Sequence, residues 1–163
     1  MTAVICVLAP LSIPLSTMVP ISLATFAVML AGAVLGSRQG ALCAALYLII
    51  GAIGIPVFAG YSSGAGALFG VTGGFLLGYI PLGFFTGLGA EKGKMKLPWL
   101  TGGMAAGTII LYAIGTIWFM AYLKTGIGAA LAACVLPFLP GDIIKMTLVV
   151  LIAPRLVSAL NKL

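Results

Sequence analysis

The sequence predicts an all-α integral membrane protein. Of its 163 residues, 63% are hydrophobic and 6% are charged, whereas soluble globular domains carry about 25% charged residues. Several apolar segments also reach the roughly 17–25 residues that a helix needs to cross a bilayer. We therefore expect residues 1–163 to form a single membrane domain with no separate soluble module.

Six membrane-spanning helices are predicted. The first segment is the shortest and contains Pro10. Residues 127–136 are apolar but too short to cross, so we expect them to fold back as a partial helix. The predicted spans cover residues 1–13, 20–36, 39–55, 72–89, 98–123 and 140–160.

The basic residues predict the orientation in the membrane. Most of the Lys and Arg side chains fall on one side of the predicted bundle: Arg38, Lys92, Lys94, Lys96, Arg155 and Lys162. Because cytoplasmic connections carry an excess of Lys and Arg, this side and both termini are predicted to be cytoplasmic. The net charge of +6 is explained by these basic residues at the ends of apolar segments, so nucleic acid is not predicted as a partner.

The opposite connections, residues 11–19, 57–71 and 124–139, are rich in Pro, Gly and Ser yet remain strongly apolar. Irregular backbone at membrane depth is tolerated only where it is buried in protein or lines a cavity. Two interpretations follow. These three outer loops cap a pocket that opens outward, or they simply tuck over the helix bundle.

Glycines recur at four-residue spacing along several predicted helices. One helical face made of small residues lets neighbouring backbones approach closely, so we expect helix packing at most of these positions. Contact with a partner subunit is the alternative. The runs are Gly32/Gly36/Gly40, Gly70/Gly74/Gly78, Gly83/Gly87 and Gly103/Gly107.

The sequence offers little for catalysis. It has no His, the usual general acid or base, and its two carboxylates, Glu91 and Asp142, fall on opposite sides of the predicted membrane. Residues 89–95 lack the spacing and the Ser or Thr of a phosphate-binding loop. No cluster has metal-ligand spacing. We therefore predict a protein that is not an enzyme and needs no metal or cofactor; binding or transport remains.

Asp142 and Lys145 are the main candidate ligand residues. An ionisable side chain at the bilayer centre costs about 2.5–3.5 kcal/mol on insertion scales. Asp142 follows Pro140 in a predicted first helical turn, where the helix dipole favours an anion, so a structural role is one interpretation. The dipole disfavours Lys145, and an i, i+3 pair is worth only about 0.2–0.5 kcal/mol. We therefore predict that both face a pocket, with Asp142 accepting N–H groups and Lys145 donating to a carbonyl or carboxylate.

Aromatic residues cluster near the second outer loop and in the fifth predicted span. Small-molecule pockets are mostly apolar with a few placed polar groups, so these rings are candidates for a ligand wall. Core packing or an interfacial belt is the alternative for each ring. The candidates are Phe58, Tyr61, Tyr79 and Tyr112.

Several blocks of sequence, in the same order along nearly the whole chain, resemble the BioY family. The more specific ones are Pro56-Val57-Phe58-Ala59-Gly60 and Pro140-Gly141-Asp142-Ile143-Ile144-Lys145. The others are Ile13-Pro14-Leu15, Val19-Pro20-Ile21-Ser22-Leu23, Leu30-Ala31-Gly32-Ala33-Val34-Leu35-Gly36 and Gly70-Val71-Thr72-Gly73-Gly74-Phe75.

The resemblance implies the biotin-specific substrate-binding (S) component of an energy-coupling factor (ECF) transporter in a prokaryotic plasma membrane. It implies that the first, third and fifth loops and the later helices hold biotin near the outer face. Asp142 and Lys145 match the family's ligand-binding acid and lysine. Thr72 and Gly73 lie in one of the matching blocks, so the resemblance makes them candidate binding residues as well. It further implies a transmembrane coupling protein and an ATPase pair as partners. The first predicted helix departs from the family's frequent Ala-x-x-x-Ala coupling pattern, since the residue four positions after Ala3 is Val7.

The leading prediction is high-affinity biotin binding and uptake, with the ureido ring near Asp142 and Lys145 beside it. Which end of biotin meets each charge stays open. Two alternatives also remain open: a biotin or small-carboxylate carrier that works without an ATPase, and a membrane-anchoring subunit of a larger complex.

Overall fold

The computed structural model describes residues 1–13 and 19–160, which fold mainly as α-helices. A short antiparallel hairpin pairs β1 (Ser12–Ile13) with β2 (Ile21–Ser22), and a 3₁₀ turn covers Ala59–Tyr61. The helices are α1 (Thr2–Leu8), α2 (Ala24–Leu35), α3 (Ser37–Ala52), α4 (Gly64–Leu68), α5 (Gly73–Lys92), α6 (Leu97–Leu123), α7 (Ile127–Cys134) and α8 (Leu139–Leu160).

Three helices are long and apolar enough to cross a membrane. They are α5 with 20 residues, α6 with 27 and α8 with 22. The helices α2 and α3 are apolar but shorter. These lengths agree with a helical membrane protein, and they match the predicted spans 72–89, 98–123 and 140–160 to within three residues. The partial helix expected within 127–136 is confirmed as α7.

The first two predicted spans differ from the structure. The helix α1 ends at Leu8, and its seven residues rise only about 10 Å, too little to cross a bilayer. Pro10 explains the early end, because proline lacks the N–H that would continue the hydrogen bonds of the helix. The second helix begins at Ala24 rather than residue 20, since Ile21 and Ser22 pair with β1. Residues 14–18 of the first outer loop and Lys162 of the tail lie outside the described residues.

The helix α5 lies at the centre of the bundle and packs against α2, α3 and α6, whereas α8 packs against α2 and α6. Glycines make these crossings close. A Cβ added to Gly40 would lie 2.9 Å from the carbonyl oxygen of Gly83, and one added to Gly107 would lie 3.0 Å from the Cα of Leu82. The prediction that the spaced glycines pack helices is confirmed at these contacts.

The carboxylate Glu91 caps the start of α3. Its Oε1 accepts a hydrogen bond from the Ser37 backbone N–H at 2.8 Å, and its Oε2 accepts one from the Ser37 hydroxyl at 2.9 Å. The first N–H groups of a helix have no partner within the helix, so an acceptor here stabilises α3. Gly36 precedes the helix with a φ of +91°, a conformation that glycine adopts readily. The contact therefore joins the start of α3 to the end of α5, where the basic residues lie.

Two adjacent glycines of α6 should respond very differently to alanine. A Cβ on Gly103 would lie 2.9 Å from the Cα of Gly89, whereas a Cβ on Gly102 would meet nothing within 4 Å. We expect Gly103→Ala to lower the free energy of unfolding by about 1–3 kcal/mol through overpacking, and Gly102→Ala to leave it nearly unchanged. Thermal unfolding in detergent measures both. Equal midpoints for the two variants would contradict this account of the α5–α6 contact.

Candidate ligand-binding site

Asp142 and Lys145 lie on the buried face of α8. The two side chains are three residues apart, and their relative exposures are 4% and 7%. Their neighbours Ile143 and Ile144 are exposed by more than half. The buried residues of α8 are Asp142, Lys145, Val149 and Ala153, a spacing that places them on one side of the helix. The stripe that docks this lipid-exposed helix onto the bundle therefore begins with two charges.

A hydrogen-bonded network joins this pair to two other helices. Lys145 Nζ donates to Asp142 Oδ1 at 3.1 Å and to Thr25 Oγ1 at 2.9 Å. The Thr25 hydroxyl in turn donates to Asp142 Oδ1 at 3.3 Å. The Tyr112 hydroxyl of α6 donates to Asp142 Oδ2. The charges thus compensate each other within protein, which is what makes a buried ion pair tolerable.

The network leaves hydrogen-bonding capacity on both charges. A carboxylate offers about four lone-pair sites and an ammonium three N–H donors. Within the part of the chain that the structure describes, Asp142 accepts three hydrogen bonds and Lys145 donates two. Each group can therefore serve one more partner.

Two adjoining cavities border this network. The smaller, of about 40 Å³, is lined by Thr25, Tyr112, Asp142 and Lys145. The larger, of about 180 Å³, extends toward the second outer loop, where Phe58 contributes to its wall. Both share a wall made of Val19, Pro20, Ser22, Phe75 and Tyr79. Together the two cavities are mostly apolar with two charges at one end, which is the usual composition of a small-molecule site.

The structure brings six of the eight candidate residues to these cavities: Asp142, Lys145 and Tyr112 at the smaller, Phe58 and Thr72 at the larger, and Tyr79 at both. Tyr61 and Gly73 are elsewhere. Tyr61 is 64% exposed and lines a separate groove beside the β-hairpin. Gly73 is buried and lines neither cavity; a Cβ there would lie 3.2 Å from the Trp118 ring.

Sequence reasoning missed two hydroxyl residues of the site, Thr25 and Ser22. Thr25 bridges both charges, and Ser22 lines both cavities. The signal was present, because two hydroxyl residues stand at the start of an otherwise apolar helix. It was weak, since Ser and Thr are common at helix starts for capping alone. Ser22 lines the cavities and also caps the start of α2, because its Oγ accepts a hydrogen bond from the Ala24 backbone N–H at 3.3 Å.

The outer loop that carries Phe58 is held in place by α3. Phe58 is 1% exposed and packs edge-on against Tyr47, with ring centroids 5.5 Å apart. Gly51 of α3 leaves room for the Phe58 ring. Further along, Trp118 Nε1 donates to the Gly70 carbonyl at 2.9 Å. The cavity wall near Phe58 and Thr72 therefore rests on rigid helices.

Comparison with known proteins identifies the family. The family model described as the BioY family matches residues 1–162. The chain belongs to the BioY family. Among its relatives, the biotin transporter BioY of Thermotoga maritima is 42% identical over 155 residues, which cover 95% of this chain and 90% of the relative. The biotin transporter BioY of Rhodobacter capsulatus is 41% identical and covers 87% of this chain and 80% of its own length.

A solved structure agrees with the BioY assignment. The S-component for biotin from an ECF-type ABC transporter superposes with a TM-score of 0.86 at 31% identity, covering 95% of this chain and 85% of that chain. This chain is therefore a multi-pass membrane protein with the fold of such a component. Within residues 1–13 and 19–160, no group of three His, Cys, Asp or Glu could hold a metal ion.

Proposed function

We propose that this chain binds biotin with high affinity and is the substrate-specific component of an ECF-type transporter that takes biotin into the cell. The observation that carries the proposal is the buried Asp142–Lys145 pair at the end of an apolar cavity, in a chain of the BioY family. Relatives named biotin transporters support the choice of ligand.

The chemistry of biotin fits the remaining capacity of the two charges. Biotin presents ureido N–H groups, a ureido carbonyl, an apolar bicycle and a carboxylate. One ureido N–H would use the free lone pair of Asp142, and the carbonyl would accept the third N–H of Lys145. The bicycle would lie against Tyr79 and Phe75, and the valeryl chain would extend toward Phe58 and Thr72.

The proposed topology has six membrane-embedded helices: α1, α2, α3, α5, α6 and α8. Arg38, Lys92, Lys94 and Lys96 gather at the ends of α3, α5 and α6 opposite the cavity, which supports a cytoplasmic location for that side and for the C-terminal end of α8. The cavity then opens outward under the apolar loops. A transmembrane coupling protein and an ATPase pair would supply the energy for uptake.

Radiolabelled biotin binding to the purified chain tests the proposal. We expect saturable one-site binding with sub-micromolar affinity in detergent, displaced by unlabelled biotin. A chain that is folded but binds no biotin would overturn the proposal and leave the membrane-anchoring alternative. Uptake into liposomes that hold the chain alone, compared with liposomes that also hold an ECF module, tests the partners separately. Equal uptake in both would favour the stand-alone carrier.

A further inference from the structure

Another cavity, of about 290 Å³, lies far from the ligand site, between the end of α5 and the start of α6. Lys92, at its rim, follows Tyr79 of the ligand site along α5 by about 20 Å of helix. Phe85 and Leu88 of α5 and Pro98 and Trp99 of α6 form its walls. This groove, lined by Phe85, Leu88, Lys92, Pro98, Trp99 and Gly102, shares no lining residue with the two cavities of the ligand site.

Glycines shape the groove. The backbones of α5 and α6 meet at Gly89 and Gly103, where a Cβ on Gly103 would lie 2.9 Å from the Cα of Gly89. The neighbouring Gly102 is exposed, and a Cβ there would meet nothing within 4 Å. Space therefore remains beside a tight helix contact, with the Trp99 ring 56% exposed next to it. A side chain at position 102 would enter that space.

The charge at the rim is positive, and Lys92 forms no ion pair within residues 1–13 and 19–160. Lys92 is exposed, as are Lys94 and Lys96 on the same connection. The one ion pair in the described ranges 1–13 and 19–160 is Asp142–Lys145. The nearby carboxylate of Glu91 instead accepts hydrogen bonds from the backbone N–H and the hydroxyl of Ser37. An apolar groove with a lysine at its mouth complements one acyl chain joined to an anionic headgroup.

We infer that this groove binds an anionic phospholipid, with the acyl chain beside Trp99 and the phosphate at Lys92. Tryptophan is enriched at membrane interfaces because its ring is apolar and its N–H polar. A zwitterionic lipid would fill the same groove but gain less from Lys92. Lipid binding in this groove does not depend on the ligand that Asp142 and Lys145 bind.

Quenching of Trp99 fluorescence by brominated lipids tests this inference. The background is Trp118→Phe, which leaves Trp99 as the single tryptophan, reconstituted in mixtures of plain and brominated lipids. We expect phosphatidylglycerol to bind beside Trp99 about fivefold more strongly than phosphatidylcholine, since one lysine contributes about that factor at a charged surface. Equal binding of the two lipids would overturn the inference, as would Trp99 unquenched by both.

Matched variants separate a site from general surface charge. Lys92→Gln should remove the preference for phosphatidylglycerol, whereas Lys94→Gln, on the same connection but outside the groove, should keep most of it. Equal losses in the two variants would assign the preference to the surface potential and overturn the site. Gly102→Leu should fill the groove and reduce quenching by both lipids. Native mass spectrometry of the chain with Trp118 intact, counting retained phosphatidylglycerol, checks that the Trp118→Phe background does not create the effect.

Discussion

The double variant Asp142→Asn/Lys145→Met is expected to unfold near the wild-type temperature yet to lose measurable biotin binding. Replacing both members of a buried ion pair with neutral groups of similar volume is often neutral or stabilising. The introduced amide at position 142 would keep one acceptor, its carbonyl oxygen, for Tyr112, and its NH2 group could donate to the Thr25 hydroxyl in place of Lys145, so no large polar defect remains. Binding should fail because hydrogen bonds to charged groups contribute about 1.5–3 kcal/mol each, and the ligand would lose both.

The single variant Lys145→Met should behave differently. It leaves the carboxylate of Asp142, 4% exposed, without a cation, and breaking one side of a buried pair destabilises by about 3–5 kcal/mol. Its affinity for biotin should fall by about 10-fold to 100-fold, since about 1.4 kcal/mol corresponds to a factor of ten. Thermal unfolding and radiolabelled biotin binding measure the two effects separately.

The control for these variants is Ile144→Met. Ile144 precedes Lys145 on α8 but is 61% exposed on the opposite side of the helix. It should change neither the midpoint of unfolding nor the affinity. A double variant that binds biotin like the wild type would show that Asp142 and Lys145 only hold α8 to the bundle.

The long helices and the charged pair could be predicted because they depend on local sequence. Apolar length defines α5, α6 and α8, and the three-residue spacing of Asp142 and Lys145 places both on one helix face whatever surrounds them. The bounds of the short helices were harder to predict. The break after α1 depends on Pro10, and the start of α2 depends on pairing between β1 and β2, which are joined across residues 14–18 and carry no strong strand pattern.

The remaining site residues depend on contacts between distant parts of the chain. Thr25 and Asp142 are 117 residues apart in sequence, and no pattern along α2 shows which hydroxyl faces α8. Tyr61 and Phe58 looked equivalent as aromatic residues of one loop. The structure separates them, because Phe58 packs on Tyr47, whereas Tyr61 adopts a φ of +60° and lines the groove beside the β-hairpin instead of either cavity.

Thr25→Val is expected to lower the free energy of unfolding and to weaken biotin binding by about 10-fold, which corresponds to about 1.4 kcal/mol. The substitution keeps the shape of the side chain but removes the hydroxyl that accepts from Lys145 at 2.9 Å and donates to Asp142 at 3.3 Å. Because both hydrogen bonds form within the folded protein, their loss should lower the free energy of unfolding by about 1.5–3 kcal/mol, and the affinity should fall because the two charges are no longer held in position. Thr25 acts here as a positioning residue, since it fixes where the ammonium and the carboxylate point.

Two further variants distinguish positioning from packing. Thr25→Ser restores the hydroxyl and should recover most of the affinity, although it lacks the methyl group. Thr147→Val removes a hydroxyl of α8 that donates only to the Ile143 carbonyl of its own helix, so it should leave the affinity unchanged. Equilibrium binding of radiolabelled biotin to all three proteins makes the comparison.

Coupling between Thr25 and Lys145 gives the most specific test of the network. If Thr25 acts through Lys145, then Thr25→Val should have much less effect in the Lys145→Met background than in the wild type, because the ammonium it orients is already gone. Groups in one hydrogen-bonded network show interaction energies of about 0.5–3 kcal/mol in such double-mutant cycles. Additive losses would mean that Thr25 and Lys145 act independently, and the bridging hydroxyl would then have no part in shaping the site.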